Sequence, residues 1–479
     1  MANCAALAFG EDWWEVGLCE GKDCIEGVMC YTGSIFHSHQ QHNYEEGNLM
    51  TVDISDIENI VARQNAWRQT QTINLIASEN TPSDAVRRVQ TSDFMGRYAE
   101  GHPNQGDKVN RYYQGTRYID EIESMAEQEI KALFGARQAD VRPISGNAAN
   151  TALALGWLRG GDTIIANSTD AGGHISHGPV GVFGRRIQGR GQSLKMGGDK
   201  SINLHYLPLT SDHYHVDGQK TIELIDQAAP QLVVMGKSLF LFPEPVSEVA
   251  SFCKTKGIPL LYDGAHVLGL IAGGQFQDPL HEGATWLTGS THKTFPGPQR
   301  GVILGNLDAE GEKKYWGAAD RGVFPGSSSN HHLYSLPALV VTIREMKQYG
   351  REYAAQIVRN AQALGRALDA LGTPVEARDF GYTKSHMIAV NVAQWGGGVE
   401  VAKRLESNDI IVNYNMLPGD ADPRNPSGLR IGVPEMTRFG MDEQAMGELA
   451  QLMHDAIEGK NVKAEVNALR GRFTEMQYV

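Results

Sequence analysis

The chain has 479 residues, of which 41% are hydrophobic and 21% charged, and its formal net charge is −13. This length predicts two or three domains, and the composition is ordinary for a soluble globular protein. The negative charge argues against nucleic-acid binding through general electrostatics, and no apolar run is long enough to span a bilayer.

The first 46 residues differ in composition from the rest of the chain. They contain eight acidic residues and one lysine, four of the five cysteines, and no helical or strand periodicity. The Cys and His spacings do not match the usual metal-binding patterns, so a poorly ordered extension over residues 1–51 is favoured over a metal site. Cys253 alone remains in the main body, which indicates a cytoplasmic protein without a disulfide framework.

Regular patterns begin near residue 52, with a predicted helix over 54–67 and a second helix that ends before Gly135. Apolar runs typical of buried strands then alternate with segments of helical length. The runs cover residues 162–166, 231–236, 258–262, 284–288 and 301–305. This alternation predicts an α/β fold with a mostly parallel, doubly wound sheet.

A long helix follows residue 326, and three further strands and a helix are predicted over 386–392, 410–415, 429–433 and 442–457. We therefore expect two domains after the extension. Residues 52–335 would form an N-terminal arm and a large domain, and residues 336–479 a small α+β domain.

In a doubly wound sheet, ligands bind beyond the carboxyl ends of the strands. The polar residues that follow these predicted ends are Asp170, His174, Ser238, Asp263, His266 and Lys293. The sequence therefore predicts a site at this edge of the sheet.

Lys293 lies in a polar turn between a buried strand and the Pro296-Gly297-Pro298 loop. An amine at a strand end, flanked by hydroxyls and an imidazole, suits a lysine that forms a Schiff base. The alternative is an ordinary surface lysine. Asp263 ends an apolar run that would bury it, and a buried carboxylate needs a cationic partner, which a protonated pyridine ring would provide. The alternative is an aspartate that caps the following turn.

Other segments could bind the remaining parts of such a cofactor and its substrate. His174 could stack on a ring, although His174 and His177 could instead form a zinc pair. Residues 145–150 precede a helix and form a plausible phosphate cradle. Arg430 is a cation within an apolar strand and suits an α-carboxylate, with a structural ion pair as the alternative.

These residues occur in motifs that resemble one enzyme family in order and spacing. The motifs are Leu75-Ile-Ala-Ser-Glu-Asn80, Tyr98-Ala-Glu-Gly101, Arg111-Tyr-Tyr113, Gly172-Gly-His-Ile-Ser-His-Gly178, Asp263-Gly-Ala-His-Val267, Ser290-Thr-His-Lys-Thr294 and Ser427-Gly-Leu-Arg-Ile-Gly432. From about residue 52 onward the chain resembles serine hydroxymethyltransferase, a fold-type I enzyme that uses pyridoxal 5'-phosphate.

The resemblance implies a role for each matching position. Lys293 would hold the cofactor, Asp263 its ring nitrogen and His174 its ring face, with Ser238 and His266 near its phenolic oxygen. At the phosphate the resemblance places Ser145, Gly146, Asn147 and Ser290. Ser78 and Arg430 would bind the substrate carboxylate, Glu100 would be the acid–base residue, and Tyr98 and Tyr113 would reach in from the partner subunit. The resemblance thus implies a homodimer or homotetramer with shared active sites, and no metal.

Some positions depart from the commonest family pattern, in part toward an archaeal-type branch. Asn147 replaces a serine, and Thr169 replaces a leucine expected against a folate pterin, whereas Asn415 lies where a folate-contacting asparagine is expected. The segment 350–358 and the loop after Lys293 are also similar to L-threonine transaldolases. The expected function is transfer of the serine one-carbon unit to tetrahydrofolate or a related pterin, which Tyr98, Glu100 and the Tyr112-Tyr113 pair favour. The alternative is a folate-independent threonine transaldolase or aldolase.

Overall fold

The computed structural model describes residues 6–9, 12–15, 53–106, 108–184 and 201–479. The chain divides into two compact units, residues 1–64 with 191–198 and residues 65–190 with 199–479. In the first unit β1 (Ala6–Phe9) pairs antiparallel with β2 (Asp12–Glu15). The sequence did not predict these two strands. The other residues of the expected extension, with its clustered Cys and His, lie outside the described residues.

The next elements lead into the second unit. They are α1 (Ile54–Ala66), β3 (Ile73–Asn74), α2 (Asp84–Arg88) and α3 (Arg117–Phe134). Helix α3 buries one stripe of side chains and ends at Gly135, whose φ of 60° is the left-handed conformation that glycine adopts readily.

A seven-stranded sheet forms the centre of the second unit. Its strands are β4 (Gln138–Asp140), β5 (Thr163–Ala166), β6 (Asn203–Tyr206), β7 (Leu232–Met235), β8 (Leu260–Asp263), β9 (Trp286–Ser290) and β10 (Gly301–Gly305). The spatial order is β4-β10-β9-β8-β7-β5-β6. The pairs from β6 to β9 are parallel, and β10 is antiparallel to both neighbours. The predicted α/β class with a mostly parallel sheet is therefore confirmed.

Helices occupy the connections between and after these strands. They are α4 (Gly146–Trp157), α5 (Gly218–Ala228), α6 (Val246–Lys256), α7 (Leu268–Ala272), α8 (Ala309–Gly311), α9 (Gly317–Arg321) and α10 (Ser335–Ala370). Every residue of β7, β8, β9 and β10 is buried, which explains why their sequences are almost continuously apolar.

The C-terminal part contains a three-stranded antiparallel sheet and four α-helices. Its elements are β11 (Met387–Asn391), α11 (Gly398–Ser407), β12 (Ile410–Ile411), β13 (Asn413–Asn415), β14 (Gly428–Gly432), α12 (Pro434–Arg438), α13 (Glu443–Ile457) and α14 (Lys463–Gly471). The sheet order is β11-β14-β13, and β12 pairs with β3. The division into large and small domains near residue 335 stays a prediction. No helix among the described residues is long and apolar enough to cross a membrane.

Candidate active site

The carboxyl ends of β8 and β9 bring an acid and an amine to one edge of the sheet. Asp263 is the last residue of β8, and β9 ends at Ser290, three residues before Lys293. The two strands are parallel neighbours, with Asp263 opposite Thr288. The turn after β9 therefore places Lys293 on the same side of the sheet as Asp263.

Asp263 is a buried carboxylate that two side chains hold in its ionised form. Its Oδ2 accepts a hydrogen bond from Asn150 Nδ2 at 2.8 Å and lies 3.0 Å from His177 Nε2. Burial favours the neutral acid, but these contacts and the nearby His174 hold the pKa of Asp263 below its ordinary value. The carboxylate is thus charged at neutral pH.

The amine of Lys293 has an unusual environment for a lysine. Loss of solvent lowers the pKa of Lys293 from 10.5 to about 8, an effect that Asp263 opposes and Arg430 reinforces. Among the described residues no carboxylate forms an ion pair with it. A lysine with these properties has a substantial neutral fraction near pH 8 and is suited to attack a carbonyl.

Two histidines at this edge, His174 and His266, are neutral at pH 7. Burial lowers the pKa of His174 to about 4, and His266 is also shifted well below its usual pKa by burial. His174 Nδ1 lies 2.8 Å from Ser176 Oγ, and the His174 and His177 ring centroids are 6.1 Å apart. The described residues contain no group of three or more potential metal ligands. His177 contacts Asp263, and the sequence did not predict this contact.

The N-terminus of α4 lies against the end of β9. Ser145 caps the helix, and its Oγ accepts a hydrogen bond from Ala148 N at 3.1 Å. A Cβ on Gly146 would lie 2.3 Å from Ser290 Oγ, so only glycine allows this approach. Asn147 is exposed. The arrangement offers backbone amides and hydroxyls to an anion.

Arg430 is a buried guanidinium whose partners are all neutral. Nη1 donates to Ser238 Oγ at 2.7 Å and to Ser238 O at 3.0 Å, and it lies 3.5 Å from His266 Nε2. Nη2 and Nε donate to Asn413 Oδ1 at 3.2 and 3.3 Å. Burial lowers the pKa of Arg430 to about 10, so it remains charged at pH 7. No described carboxylate pairs with it, which leaves its charge available to a ligand.

Ser78 and Asn415 lie on segments that flank the Arg430 strand. Gly432, on β14, packs so closely on Ala77 that a Cβ there would lie 2.4 Å from the Ala77 Cα. Ser78, which follows Ala77, is therefore close to β14. Asn415 is the last residue of β13, and its Nδ2 donates to Met416 O at 2.7 Å.

Tyr98, Glu100 and Tyr113 form a second, separate group. The Tyr98 and Tyr113 rings are 5.1 Å apart, and both residues are substantially exposed, at 46% and 37%. Partial desolvation raises the pKa of Tyr113, with Glu100 contributing in the same direction. In the part of the chain that the structure describes, no hydrogen bond or ring contact joins this group to Lys293.

Several residues of the site carried no sequence signal strong enough to assign them. Asn150 orients Asp263 and accepts a hydrogen bond from Thr288 Oγ1 at 2.8 Å, and Asn413 contacts Arg430. His386 stacks on His266 with ring centroids 5.6 Å apart. Asn150 and Asn413 belong to segments that the sequence singled out, but the tertiary fold alone brings each of them to its charged partner.

The residues at the edge fit pyridoxal phosphate, a cofactor with an aldehyde, a phosphate and a basic ring nitrogen. Lys293 supplies an amine without an acidic partner, Asp263 an ionised carboxylate and α4 an anion-binding terminus. The Nδ1 of His177 is buried without a partner among the described residues. The amine suits the aldehyde of the cofactor, the carboxylate suits its ring nitrogen, and the helix terminus suits its phosphate.

Comparison with known proteins agrees with this geometry. The family model for serine hydroxymethyltransferase matches residues 50–453. Serine hydroxymethyltransferase from Pyrobaculum islandicum is 44% identical over 433 residues, covering 90% of this chain and 95% of that protein. The Metallosphaera sedula enzyme of the same name is 43% identical over 432 residues, covering 89% and 95%.

A solved structure adds a second relative. The crystal structure of L-threonine transaldolase from Pseudomonas fluorescens superimposes with a TM-score of 0.77 and is 27% identical, covering 89% of this chain and 93% of that one. The family model spans most of the chain, and the two serine hydroxymethyltransferases exceed 40% identity to it. The chain therefore belongs to the serine hydroxymethyltransferase family, whose members are pyridoxal-phosphate-dependent hydroxymethyltransferases.

Proposed function

We propose that this enzyme cleaves the Cα–Cβ bond of serine, releases glycine and transfers the one-carbon unit to tetrahydrofolate or a related pterin. The observation that carries the proposal is the grouping at one sheet edge of Lys293, which has a lowered pKa, ionised Asp263 and Arg430 without an acidic partner. Family membership supports the same reaction.

Each residue of the edge has a proposed task in holding the cofactor. Lys293 would bind pyridoxal phosphate through its amine, Asp263 would keep the ring nitrogen protonated, and His174 would lie on the ring. Ser145, Gly146, Asn147 and Ser290 would bind the phosphate, with Ser238 and His266 near the phenolic oxygen. When bound, this cofactor withdraws the electron pair that bond cleavage leaves on the α-carbon.

The substrate would be oriented by groups of this chain. Arg430 would bind the α-carboxylate with two parallel hydrogen bonds, with Ser78 beside it, and thereby fix which bond at the α-carbon is aligned for cleavage. Glu100 would move the proton of the substrate hydroxyl, and Tyr98 and Tyr113 would enclose it. Asn415 would contact the pterin.

The test compares serine and threonine turnover with and without tetrahydrofolate. We expect serine cleavage that tetrahydrofolate strongly stimulates. The structural likeness to a threonine transaldolase favours one alternative, in which threonine is cleaved without folate and a β-hydroxy-α-amino acid forms from an added aldehyde. Threonine cleavage without folate, together with serine activity that folate does not stimulate, would replace the proposal by this alternative.

We also propose that the enzyme is a cytoplasmic homodimer or homotetramer with shared sites. Exposed apolar side chains cluster in sequence around the Tyr98–Tyr113 group. They include Met95 at 63%, Val109 at 72%, Tyr112 at 83% and Tyr118 at 63% exposure. Contact with a second copy would cover such a surface and bring Glu100 to the partner's Lys293. Light scattering on the purified chain would test the assembly, and a monomeric mass would contradict it.

A further inference from the structure

Asn80 connects the Lys293 turn to helix α10 through one amide group. Its Nδ2 donates to the Lys293 backbone oxygen at 2.7 Å and to Tyr353 Oη at 2.9 Å. A backbone carbonyl only accepts hydrogen bonds, so the nitrogen of the amide, not its oxygen, must face Lys293. Both amide hydrogens are therefore used.

Tyr353 continues the connection to the strand that carries Arg430. Its Oη donates to Pro434 O at 2.9 Å, and Pro434 begins α12 immediately after β14 and Val433. Because this carbonyl also only accepts, the single hydroxyl proton is committed to it, and the hydroxyl oxygen accepts from Asn80. The hydrogen bonds thus run in fixed directions from Asn80 to Lys293 and from Asn80 through Tyr353 to Pro434.

The surroundings hold Tyr353 in place. It is 1% exposed, its ring centroid lies 5.3 Å from that of Tyr478, and the Arg438 guanidinium lies 5.8 Å from the ring. The Oδ1 of Asn80 is buried without a partner among the described residues, which carries an energetic cost. The two hydrogen bonds that Asn80 donates explain why an amide occupies this position despite that cost, whereas packing alone does not.

We propose that Asn80 and Tyr353 are positioning residues that set the separation between the Lys293 amine and the Arg430 guanidinium. The inference rests on the proposed roles of those two side chains. When Arg430 binds the carboxylate of an amino acid, the α-carbon of that amino acid must lie at the site of Lys293. A small error in the distance between the Arg430 guanidinium and the Lys293 amine therefore lowers the rate. The hydrogen bonds link the two segments, which lie far apart in sequence.

The test uses Tyr353→Phe, which removes the hydroxyl and keeps the packed ring. Tyr382→Phe is the matched control, because Tyr382 is also buried and its hydroxyl donates to Asp369 Oδ2 at 3.0 Å. Asp369 lies on α10, the helix that contains Tyr353. We expect kcat/KM for serine cleavage to fall about tenfold in Tyr353→Phe and less than about twofold in the control.

A second readout uses the cofactor-free protein. The pH dependence of Lys293 acylation, followed by peptide mass spectrometry, gives the pKa of the amine. Burial and Arg430 lower this pKa and Asp263 raises it, and their net effect lowers it from 10.5 to about 8, so releasing the turn raises it. We expect an upward shift of about half a unit or more in Tyr353→Phe and none in the control. Asn80→Leu, which removes both donated hydrogen bonds without adding a charge, should produce a larger shift in the same direction.

The outcomes separate this inference from the proposed function. A wild-type enzyme that cleaves serine, together with Tyr353→Phe and Asn80→Leu variants unchanged in both readouts, would overturn the positioning role. Shifted Lys293 acylation in a protein that cleaves neither serine nor threonine would support the positioning role and reject the proposed function. If Tyr353→Phe does not fold, Asn80→Leu alone decides by the same criteria.

Discussion

Replacing Glu123 with glutamine tests how a buried ion network stabilises the loop that carries Glu100. Glu123 is fully buried on α3, where its Oε2 accepts from Arg111 Nη2 at 2.8 Å and lies 2.8 Å from His331 Nε2. Arg111 also donates to Ala99 O at 2.9 Å, next to Glu100. The network therefore joins α3 to two loops.

The magnitude follows from the ionisation of Glu123. Burial alone would raise its pKa, but His331 and Arg111 outweigh that effect and lower the pKa of Glu123 from 4.5 to about 2. At about 1.4 kcal/mol per unit this is about 3 kcal/mol of stability at pH 7. The contribution is complete above pH 4.5 and is lost as the pH falls from 4.5 toward 2.

Thermal unfolding of Glu123→Gln measures this contribution. We expect Tm at pH 7 to fall by about 3 °C, given the unfolding entropy of a chain of this length. The difference from the wild type should shrink by about 1 kcal/mol on going to pH 3.5. Glu129→Gln is the control. Glu129 is also on α3 and forms a partly exposed ion pair with Lys347 on α10, and its loss should change the free energy of unfolding by less than about 1 kcal/mol. An unchanged Tm at pH 7, or a difference just as large at pH 3.5, would refute the reasoning.

Three further predictions concern the site. Arg430→Met should raise the KM for serine at least about 100-fold, whereas Arg424→Met, an exposed control, should leave it unchanged. An unchanged KM in Arg430→Met would show that Arg430 does not bind the substrate carboxylate. Asp263→Asn should lower kcat at least about 100-fold while His177 and Asn150 keep the side chain in place, and wild-type kcat would contradict its role at the ring nitrogen. Mixing equal amounts of Lys293→Ala and Glu100→Gln, each inactive alone, should restore about a quarter of the activity if the sites are shared. About half of the randomly formed dimers are then mixed, and each mixed dimer has one intact site of two. No recovery after subunit exchange would place Glu100 and Lys293 in the same subunit.

Much of the fold could be predicted because the central strands are apolar runs with clear polar ends. The predicted run 301–305 coincides with β10. The predicted run 284–288 ends two residues before the last residue of β9, Ser290. Strands β4 and β6 were missed because they are short and partly exposed at the sheet edges, where hydrophobic periodicity is weak. β1 and β2 were missed as well, although Asp12–Glu15 contains two tryptophans.

The charged residues of the site were easier to predict than their neutral partners. Asp263, Lys293 and Arg430 are conspicuous because a charge stands within or directly after an apolar run. Asn150 and Asn413 meet those charges only through the tertiary fold, across 113 residues in one case and 17 in the other. His177 illustrates the same limit, since the sequence could not distinguish a zinc pair from a contact with Asp263.

The most direct test of the account is the identity of the lysine that holds the cofactor. Borohydride reduction of the enzyme loaded with pyridoxal phosphate, followed by peptide mapping, should place a single pyridoxyl adduct on Lys293, and Lys293→Ala should lack both the adduct and serine cleavage. An adduct on a different lysine of the active enzyme, or full serine turnover in Lys293→Ala, would contradict the central claim.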